Sequence, residues 1–304
     1  MKKKILILLV ILILILTSVG CKKTIPSSRN ANISTLTNTQ SKRKIRTAQA
    51  GFVFNNSSDF KNDIYNLNTD IIDGIFKINI NINTEMNLLV MIDYHPVTFK
   101  VNGTETSLYK FIINNKEQDI PLSVNTQGLS NGTHLLSFAY YATKEITNFN
   151  SLFISYKVIK ASSEGSIKIN ENKLTQFEIL NKEYGFMNIS KENLEDKKYN
   201  NRIKQIIVKR GEETYIPLVC GGCSNQSSYA FQFLLNGQIY SIDDSEYKTV
   251  DIPKGKSLYK MVKIKAPTQP GSYHGFFVCY ANPLNTNKFY PQAFLADKIN
   301  IIVE

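Results

Sequence analysis

Tryptophan is absent from this 304-residue sequence, which has only three histidines, four cysteines and one long apolar run. A single apolar run excludes a polytopic membrane protein, and so few cysteines exclude a small domain built on a dense disulfide framework. The sequence also lacks a glycine-rich phosphate loop and a Gly-x-Ser-x-Gly nucleophile motif. We therefore expect no enzymatic activity and no bound cofactor.

The apolar run occupies residues 5–16 and follows three lysines at positions 2–4. Twelve apolar residues are too few for a membrane-spanning helix, which needs about 20. A basic start, a short apolar centre and small residues up to Gly20 are typical of an export signal. Residues 1–20 are therefore predicted to be a signal peptide, with an uncleaved N-terminal anchor as the alternative.

The segment Ser18-Val19-Gly20-Cys21 resembles the lipobox of bacterial lipoproteins, although Ser18 stands where leucine is most common. The resemblance implies cleavage before Cys21 and attachment of diacylglycerol to its sulfur, with palmitate as a typical acyl group. It therefore predicts lipidation at Cys21 and a protein held at the extracytoplasmic face of the cell membrane by its N-terminal lipid.

Basic residues are concentrated after Cys21. Residues 21–50 contain seven lysines and arginines but no acidic or aromatic residue, so we predict a disordered basic tether. Ten of the 36 basic residues lie within residues 1–50, which leaves 26 basic against 25 acidic residues for the rest of the chain. The folded part therefore has no basic excess for binding nucleic acid, and anionic lipid or an anionic wall polymer is the expected partner of the tether.

From residue 51 onward, runs of β-branched and aromatic residues alternate with Asn, Gly, Asp and Pro, a pattern typical of antiparallel strands joined by turns. No long stretch has the 3.6-residue apolar period of a packed helix, so the predicted fold class is all-β. A short helix or a polar loop is predicted only at residues 189–199. The predicted strands are 75–82, 87–92, 108–113, 133–142, 152–159, 203–208, 213–219, 229–235, 257–264, 272–281 and 293–303.

An internal repeat divides this region into two halves. Residues 131–142 match residues 270–281 without a gap, and upstream, residues 107–115 resemble residues 228–237. Residues 152–159 and 296–303 each supply a closing strand. The repeat indicates duplication. It predicts two related domains, 51–160 and 165–304, that are joined near residues 161–165 and fold independently. The identities in the first match are Gly132/Gly271, Phe138/Phe277, Tyr141/Tyr280 and Ala142/Ala281.

Both halves resemble bacterial immunoglobulin-like or fibronectin type III-like domains. The resemblance rests on Gly-Thr-His at residues 132–134 and Gly-Ser-Tyr at residues 271–273, each of which begins a predicted penultimate strand. It implies two tandem antiparallel β-sandwiches. The sequence departs from true immunoglobulin domains because it has no tryptophan to pack beside a pair of bridged cysteines.

Three cysteines follow the tether. Cys220 and Cys223 have the spacing of half a zinc site or of a redox pair, although zinc usually takes four ligands and a redox pair expects a βαβ context. A disulfide from Cys279 to Cys220 or Cys223 is one alternative, and three reduced thiols are another. Strand parity places Cys279 on the same face as Phe277, which we expect to point into the sandwich.

Two other candidate ligand groups are weaker. His134 aligns with Tyr273 of the second copy, which favours a packed, hydrogen-bonded strand position over metal ligation. Asp243, Asp244 and Glu246 form an acidic cluster, but its spacing fits a solvated turn better than a calcium loop.

Two functional interpretations remain. The first is a membrane-anchored extracytoplasmic lipoprotein that serves as a binding or structural module at the cell surface or wall, for an unidentified protein or glycan ligand. The second is a metal-binding or thiol-redox lipoprotein that uses Cys220, Cys223 and Cys279.

Overall fold

The described residues of the computed structural model are 48–61, 64–81, 83–114, 117–143, 152–160, 172–221, 228–281 and 293–304. The predicted signal peptide, Cys21, nearly all of the predicted tether and Cys223 lie outside them. Within the described ranges, no helix is long and apolar enough to cross a membrane.

The chain is all-β, as predicted, and its first half forms a sandwich of two sheets. One sheet has the strand order β1-β4-β10-β7-β8, and the other has the order β2-β3-β12-β11-β5-β6, with β9 also paired to β5. The strands are β1 (Ala48–Phe54), β2 (Phe60–Lys61), β3 (Ile64–Leu67), β4 (Ile71–Ile80), β5 (Asn83–Ile92), β6 (His95–Pro96), β7 (Phe99–Val101), β8 (Thr104–Thr106), β9 (Tyr109–Asn114), β10 (Glu117–Asn125), β11 (Gly132–Ala142) and β12 (Leu152–Lys160). A 3-10 helix, Ser57–Asp59, precedes β2.

The second half forms another sandwich. Its sheets have the orders β13-β19-β15 and β14-β22-β20-β16-β17, with β18 paired to β16 and β21 paired to β20. The strands are β13 (Glu178–Leu180), β14 (Gln205–Val208), β15 (Glu213–Gly221), β16 (Ser228–Leu235), β17 (Gln238–Tyr240), β18 (Lys248–Asp251), β19 (Ser257–Lys265), β20 (Gly271–Ala281), β21 (Ala293–Leu295) and β22 (Ile299–Val303). Helix α1 (Lys191–Glu195) lies within the segment predicted to be a helix or loop, and Ser190 caps its N-terminus.

The larger sheets of the two sandwiches share a common arrangement of strands. In each, the last strand has a parallel neighbour on one side, β3 for β12 and β14 for β22, and the penultimate strand on the other. The penultimate strands β11 and β20 pair in turn with β5 and β16. Leu136 and Gly275 are aligned in the sequence repeat, and they pair with Ile92 and Leu235, respectively. Strand β5 is therefore the counterpart of β16.

This register corrects one part of the predicted repeat. Residues 107–115, which resemble 228–237 in sequence, contain β9, and β9 pairs with β5 and with no other described strand. Both segments carry aromatic residues at alternate positions, so composition does not distinguish a central strand from a peripheral one. The match between residues 131–142 and 270–281 does join equivalent strands, β11 and β20.

Each sandwich has its own hydrophobic core. The first core draws its buried residues from positions 50–158, and the second from positions 174–303. Strand β1 begins at Ala48, three residues before the predicted start of the first domain. The reason is that Ala50 and Phe52 on β1 are buried in the first core while the strand pairs with β4. Both sandwiches lie within one compact unit.

Candidate functional site

Two of the three candidate cysteines meet in the core of the second sandwich. Cys220 lies on β15 and Cys279 on β20, so they come from opposite sheets, and both side chains are buried. Their Sγ atoms are 3.4 Å apart. Cys279 shares its face with Phe277, which is also in this core, as strand parity predicts. Cys223 falls outside the described residues.

The surroundings of this pair limit its chemistry. Cys279 faces Phe231 on β16 and Phe294 on β21, and Cys220 faces Leu258 on β19. No group of three His, Cys, Asp or Glu side chains among the described residues could hold a metal ion. A disulfide would need the sulfurs to approach to about 2.05 Å, so a small movement would suffice. The cross-core disulfide therefore stays a prediction.

A third apolar cluster lies between the two sandwiches. It consists of eleven buried hydrophobic residues from the outward faces of β5, β11, β16 and β20, together with the turn after β5. The rings of Tyr141 and Phe276 meet across it at 4.7 Å. Both sandwiches therefore bury apolar side chains on both faces of their central strands, and we call this cluster the interface. Its buried members are Leu89, Met91, Tyr94, Leu135, Ala139, Tyr141, Ala230, Leu234, Phe276, Val278 and Tyr280.

The interface contains a buried polar bridge. Gln232 on β16 donates from Nε2 to the carbonyl oxygen of Tyr94 at 3.0 Å, and its Oε1 accepts a hydrogen bond from the Tyr280 hydroxyl at 2.8 Å. Burial raises the pKa of both tyrosines, so each stays protonated at neutral pH. A buried amide with both ends bonded fixes the relative orientation of the partners more strictly than apolar contact does.

Equivalent turns lead into the interface in the two copies. Asp93 and Tyr94 connect β5 to β6 with φ angles of 50° and 72°, and Asn236 and Gly237 connect β16 to β17 with φ angles of 49° and 82°. In each turn the first side chain accepts a hydrogen bond from the penultimate strand. Asp93 accepts from the Leu135 amide at 2.8 Å, and Asn236 accepts from the His274 amide at 2.9 Å.

Two histidines lie beside these turns in opposite electrostatic settings. His134 is buried and bonds to the Asp93 carboxylate at 2.6 Å and to the Ser130 carbonyl at 2.8 Å, as expected for a packed strand position. The Asp93 hydrogen bond raises the pKa of His134. The pKa of His274 is lowered by burial, and also by Lys298 and Lys110.

Polar contacts also link the two sandwiches outside the apolar cluster. Lys298 of the second sandwich donates to the carbonyl oxygen of Thr143 in the first. His95 Nε2 lies 3.7 Å from Glu246 Oε2. Each contact joins a residue of the first sandwich to a residue of the second, mainly from segments between strands.

The acidic cluster is paired with lysines. Asp243 Oδ2 lies 3.1 Å from Lys260, whose side chain is buried, and Asp244 Oδ2 lies 2.8 Å from Lys263. Asp243 also accepts a hydrogen bond from the Lys263 amide. The cluster lies in the turn between β17 and β18 and contacts lysines of β19; Asp244 is exposed there, as the solvated-turn interpretation expects, whereas Asp243 is largely buried beside Lys260.

Sequence reasoning missed the interface. The signal was present in β11, where every residue from Gly132 to Ala142 is buried, and in the apolar end of β20. An antiparallel strand that faces water on one side alternates apolar and polar residues. A run that is apolar on both faces therefore indicates that both faces of the sheet are packed against other parts of the protein.

Comparison with known proteins gives no family assignment. No protein-family model and no curated protein matches the sequence. Similar solved structures include the C-terminal domain of the Streptococcus pyogenes antigen I/II-family protein AspA, which is 9% identical with a TM-score of 0.23 and covers 85% of this chain and 100% of its own. The C-terminal domain of the Streptococcus agalactiae AgI/II polypeptide BspA is 9% identical with a TM-score of 0.22 and covers 83% and 99%.

A family 123 glycoside hydrolase from Clostridium perfringens is also similar, with 15% identity and a TM-score of 0.24. The match covers 42% of this chain and 27% of the hydrolase, so this chain spans about a quarter of that enzyme's length. TM-scores this low carry no argument about activity.

Proposed function

We propose that the protein is a bacterial lipoprotein anchored through Cys21 at the extracytoplasmic face of the cell membrane, where its two sandwiches act as a non-enzymatic binding or structural module. The observation that carries the proposal is the N-terminal sequence: three lysines, an apolar run at residues 5–16, small residues and then Cys21.

Physical arguments support stable attachment. Two acyl chains, or one chain with basic residues, hold a protein at a membrane, whereas one chain alone anchors it only marginally. The seven basic residues at positions 21–50 add attraction to anionic lipid or to an anionic wall polymer. The predicted tether would let the folded part reach beyond the membrane surface.

The interface supports a role as a binding or structural module. Because the sandwiches share a buried apolar surface and a bonded amide, they present their remaining surfaces as one rigid body. The fixed arrangement suits the presentation of strand edges and loops to a partner, which is how rigid β-scaffolds commonly carry binding sites.

The metal or thiol-redox alternative has one observation in its favour, the 3.4 Å separation of the Cys220 and Cys279 sulfurs. Their burial among aromatic and aliphatic side chains favours a structural pair, because exchange chemistry needs access to the thiolate. Elemental analysis of the purified protein distinguishes a metal site from a structural cysteine pair, because stoichiometric zinc or copper would favour the metal site.

Protease treatment of intact protoplasts tests the proposed location. The protein should sediment with membranes and should be degraded by external protease, while a cytoplasmic marker survives. Cys21→Ala should keep the signal peptide and migrate as a larger species, because signal peptidase II needs the cysteine. Resistance of the wild-type chain to protease on intact protoplasts would reject the proposal.

A further inference from the structure

Two hydrogen bonds fix the protonation state of His134. The side chain is buried near the start of β11, with 6% of the residue exposed. Its Nδ1 atom lies 2.6 Å from Asp93 Oδ2, and its Nε2 atom lies 2.8 Å from the carbonyl oxygen of Ser130. A carboxylate and a carbonyl oxygen only accept hydrogen bonds, so both ring nitrogens must donate. The two bonds together therefore require the doubly protonated, positively charged ring.

The second sandwich makes the same backbone contact with a different side chain. The repeat that aligns β11 with β20 places Tyr273 at the position of His134 and Gln269 at the position of Ser130. The Tyr273 hydroxyl donates to the Gln269 carbonyl oxygen at 2.8 Å. Each sandwich therefore ties the segment before its penultimate strand to that strand through one carbonyl oxygen. In the first sandwich the donor is a histidine, the side chain that ordinarily changes charge between about pH 5 and pH 8.

The residue that pairs with this histidine also differs between the copies. Asp93 Oδ1 accepts a hydrogen bond from the Leu135 amide, and Asn236 Oδ1 accepts the equivalent bond from the His274 amide. The same backbone bond therefore closes both turns, although an asparagine side chain carries no charge. Because that bond does not need an acid, the acid–base pair of the first sandwich adds a response to pH that the second sandwich lacks at these positions.

Among the described residues, Asp93 and Lys160 are the charged side chains that shift the pKa of His134. The hydrogen bond to Asp93 raises this pKa above its ordinary value of about 6.5, whereas burial lowers it. The bond to the Ser130 carbonyl also raises the pKa, and Lys160 on β12 lowers it. Lys160 Nζ lies 3.1 Å from Asp70 Oδ1, so a carboxylate partly compensates its charge. The net direction is upward, which favours the charged ring.

A second histidine, His95, lies on the other side of the same turn. Its Nδ1 atom bonds to the main-chain carbonyl oxygen of Asp93 at 2.9 Å, and its Nε2 atom lies 3.7 Å from Glu246 Oε2. Neither contact involves the Asp93 carboxylate. The titration of His95 can therefore be separated from that of His134.

Loss of one proton removes one of the two bonds of His134. The proton passes to water, and the neutral ring keeps a single N–H. The bond to the Asp93 carboxylate is the shorter of the two and is charge-assisted, so the remaining N–H stays on Nδ1. Nε2 then presents a lone pair to the carbonyl oxygen of Ser130. Two acceptors that face each other repel, so this contact opens.

Residues 126–131, which we call the latch segment, connect β10 of one sheet to β11 of the other. The start of the segment is held independently of the histidine, because the Thr126 carbonyl oxygen accepts a hydrogen bond from Lys160 Nζ at 2.9 Å. Its end is held at Ser130 by His134. Deprotonation of the ring therefore frees one end of the latch segment and leaves the other end in place.

We propose that His134 is a pH-sensitive latch of the first sandwich. The doubly protonated ring holds the latch segment against β11, and loss of one proton releases the Ser130 carbonyl while the bond to Asp93 stays. Because that bond stays, the turn that carries Tyr94 into the interface is retained in both states. The inference goes beyond the proposed function, since it gives the module a loop whose position depends on the pH of the surrounding medium.

NMR titration of the isotope-labelled, full-length protein in detergent solution tests the proposal. As the pH rises from about 5 to about 9, His134 should lose its Nε2 proton and keep its Nδ1 proton, with a midpoint above about pH 6.5. The carbonyl carbon of Ser130 should shift in one step with the same midpoint. The carbonyl carbon of Gln269, which Tyr273 holds, should show no step at that pH.

Three variants provide matched controls. His134→Tyr introduces the residue of the second sandwich and should abolish the step at Ser130. Asp93→Asn, which also copies the second sandwich, should lower the midpoint by at least about one pH unit because the charged acceptor is lost. His95→Gln removes the neighbouring histidine and should leave the step unchanged. Thermal unfolding of each variant checks that the fold is intact.

A Ser130 signal that does not move while His134 titrates would overturn the proposal, as would a step that persists in His134→Tyr. Loss of the Nδ1 proton in place of the Nε2 proton would mean that Asp93 is released instead of Ser130, and would also overturn it. A step that His95→Gln abolishes would assign the response to the other histidine. The ring and carbonyl signals come from the wild-type chain, so the proposal stays falsifiable even where a variant does not fold.

Discussion

The ring of Tyr94 lies 4.3 Å from the ring of Tyr280, which joins a turn of the first sandwich to a central strand of the second. Tyr94 has a φ of 72°, which lies in the left-handed region. The equivalent residue of the second copy, Gly237, has a similar φ of 82°. A left-handed conformation costs a non-glycine residue about 1–2 kcal/mol. The ring packing and the hydrogen bond from Gln232 to the Tyr94 carbonyl offset that cost.

Removing the Tyr280 hydroxyl should weaken the interface. Tyr280→Phe deprives the buried Gln232 Oε1 of its donor, which should lower the free energy of unfolding by about 1–3 kcal/mol. Tyr141→Phe is the matched control, because Tyr141 is the equivalent residue of the first copy and its hydroxyl makes no hydrogen bond to a described residue. Urea unfolding of both variants provides the comparison, and equal losses would argue against a specific role for the Gln232 bridge.

The two sandwiches should unfold together. Leu234→Asn places an unsatisfied amide in the interface and should cost about 2–4 kcal/mol, because the buried polar group has no partner there. Ile112→Asn, at an exposed position, should change stability by less than about 0.5 kcal/mol. Calorimetry of the full chain should show one transition that shifts as a whole in Leu234→Asn. Two transitions, one of them unmoved, would mean that the halves are independent.

The sequence predicts most long strands but not their partners. All eleven predicted runs fall on strands, although the last is split into β21 and β22. Strand β10 was missed because it contains acidic residues and has Pro121 in its interior. The strand tolerates Pro121 because β7 pairs only with residues 122–124, so the missing N–H of proline costs no hydrogen bond to β7. The short strands β6 and β7 carry too few residues for a period-2 pattern.

Long-range relationships limit what the sequence can predict about the candidate site. Parity along β20 places Cys279 in the core, but only the packing of two sheets brings Cys220 within reach. Gln232 is a polar residue in an apolar run, and its two partners lie 138 and 48 positions away in the chain. A pattern within one strand does not contain that information.

Oxidised protein should contain a Cys220–Cys279 disulfide. The full-length chain, denatured without reductant, should then show Cys223 as its one reactive thiol once Cys21 is lipidated. The Cys223→Ala variant should show no reactive thiol. The Cys279→Ala variant should have a free energy of unfolding that is lower by about 2–5 kcal/mol, as is typical when a native disulfide of an exported domain is removed. Three reactive thiols in the oxidised wild type would rule out the bridge.

His134 and His274 should make opposite contributions to the pH dependence of stability. The hydrogen bond to Asp93 raises the pKa of His134 when folded, so its contribution is present below about pH 6.5 and is lost as pH rises through the raised pKa. Burial lowers the pKa of His274, so the unfolded chain takes up the proton first and stability falls as pH drops below about 6.5.

Single substitutions separate the two contributions. From pH 8 to pH 5, His134→Gln should lose stability relative to the wild type, and His274→Gln should gain it. Urea unfolding at both pH values measures the differences, and NMR titration should place the pKa of His134 above that of His274. The reverse order would contradict both attributions: the hydrogen bond with Asp93 that raises the pKa of His134, and the burial that lowers the pKa of His274.

Metabolic labelling with an alkyne fatty acid tests the central claim most directly. Bacteria that express the wild-type chain should incorporate the label, and mass spectrometry should locate it on an N-terminal Cys21. Cys223→Ser, which removes another cysteine, should be labelled to the same extent, whereas Cys21→Ser should carry no label. Equal labelling of Cys21→Ser, or an unmodified chain that still begins with residues 1–20, would contradict the account.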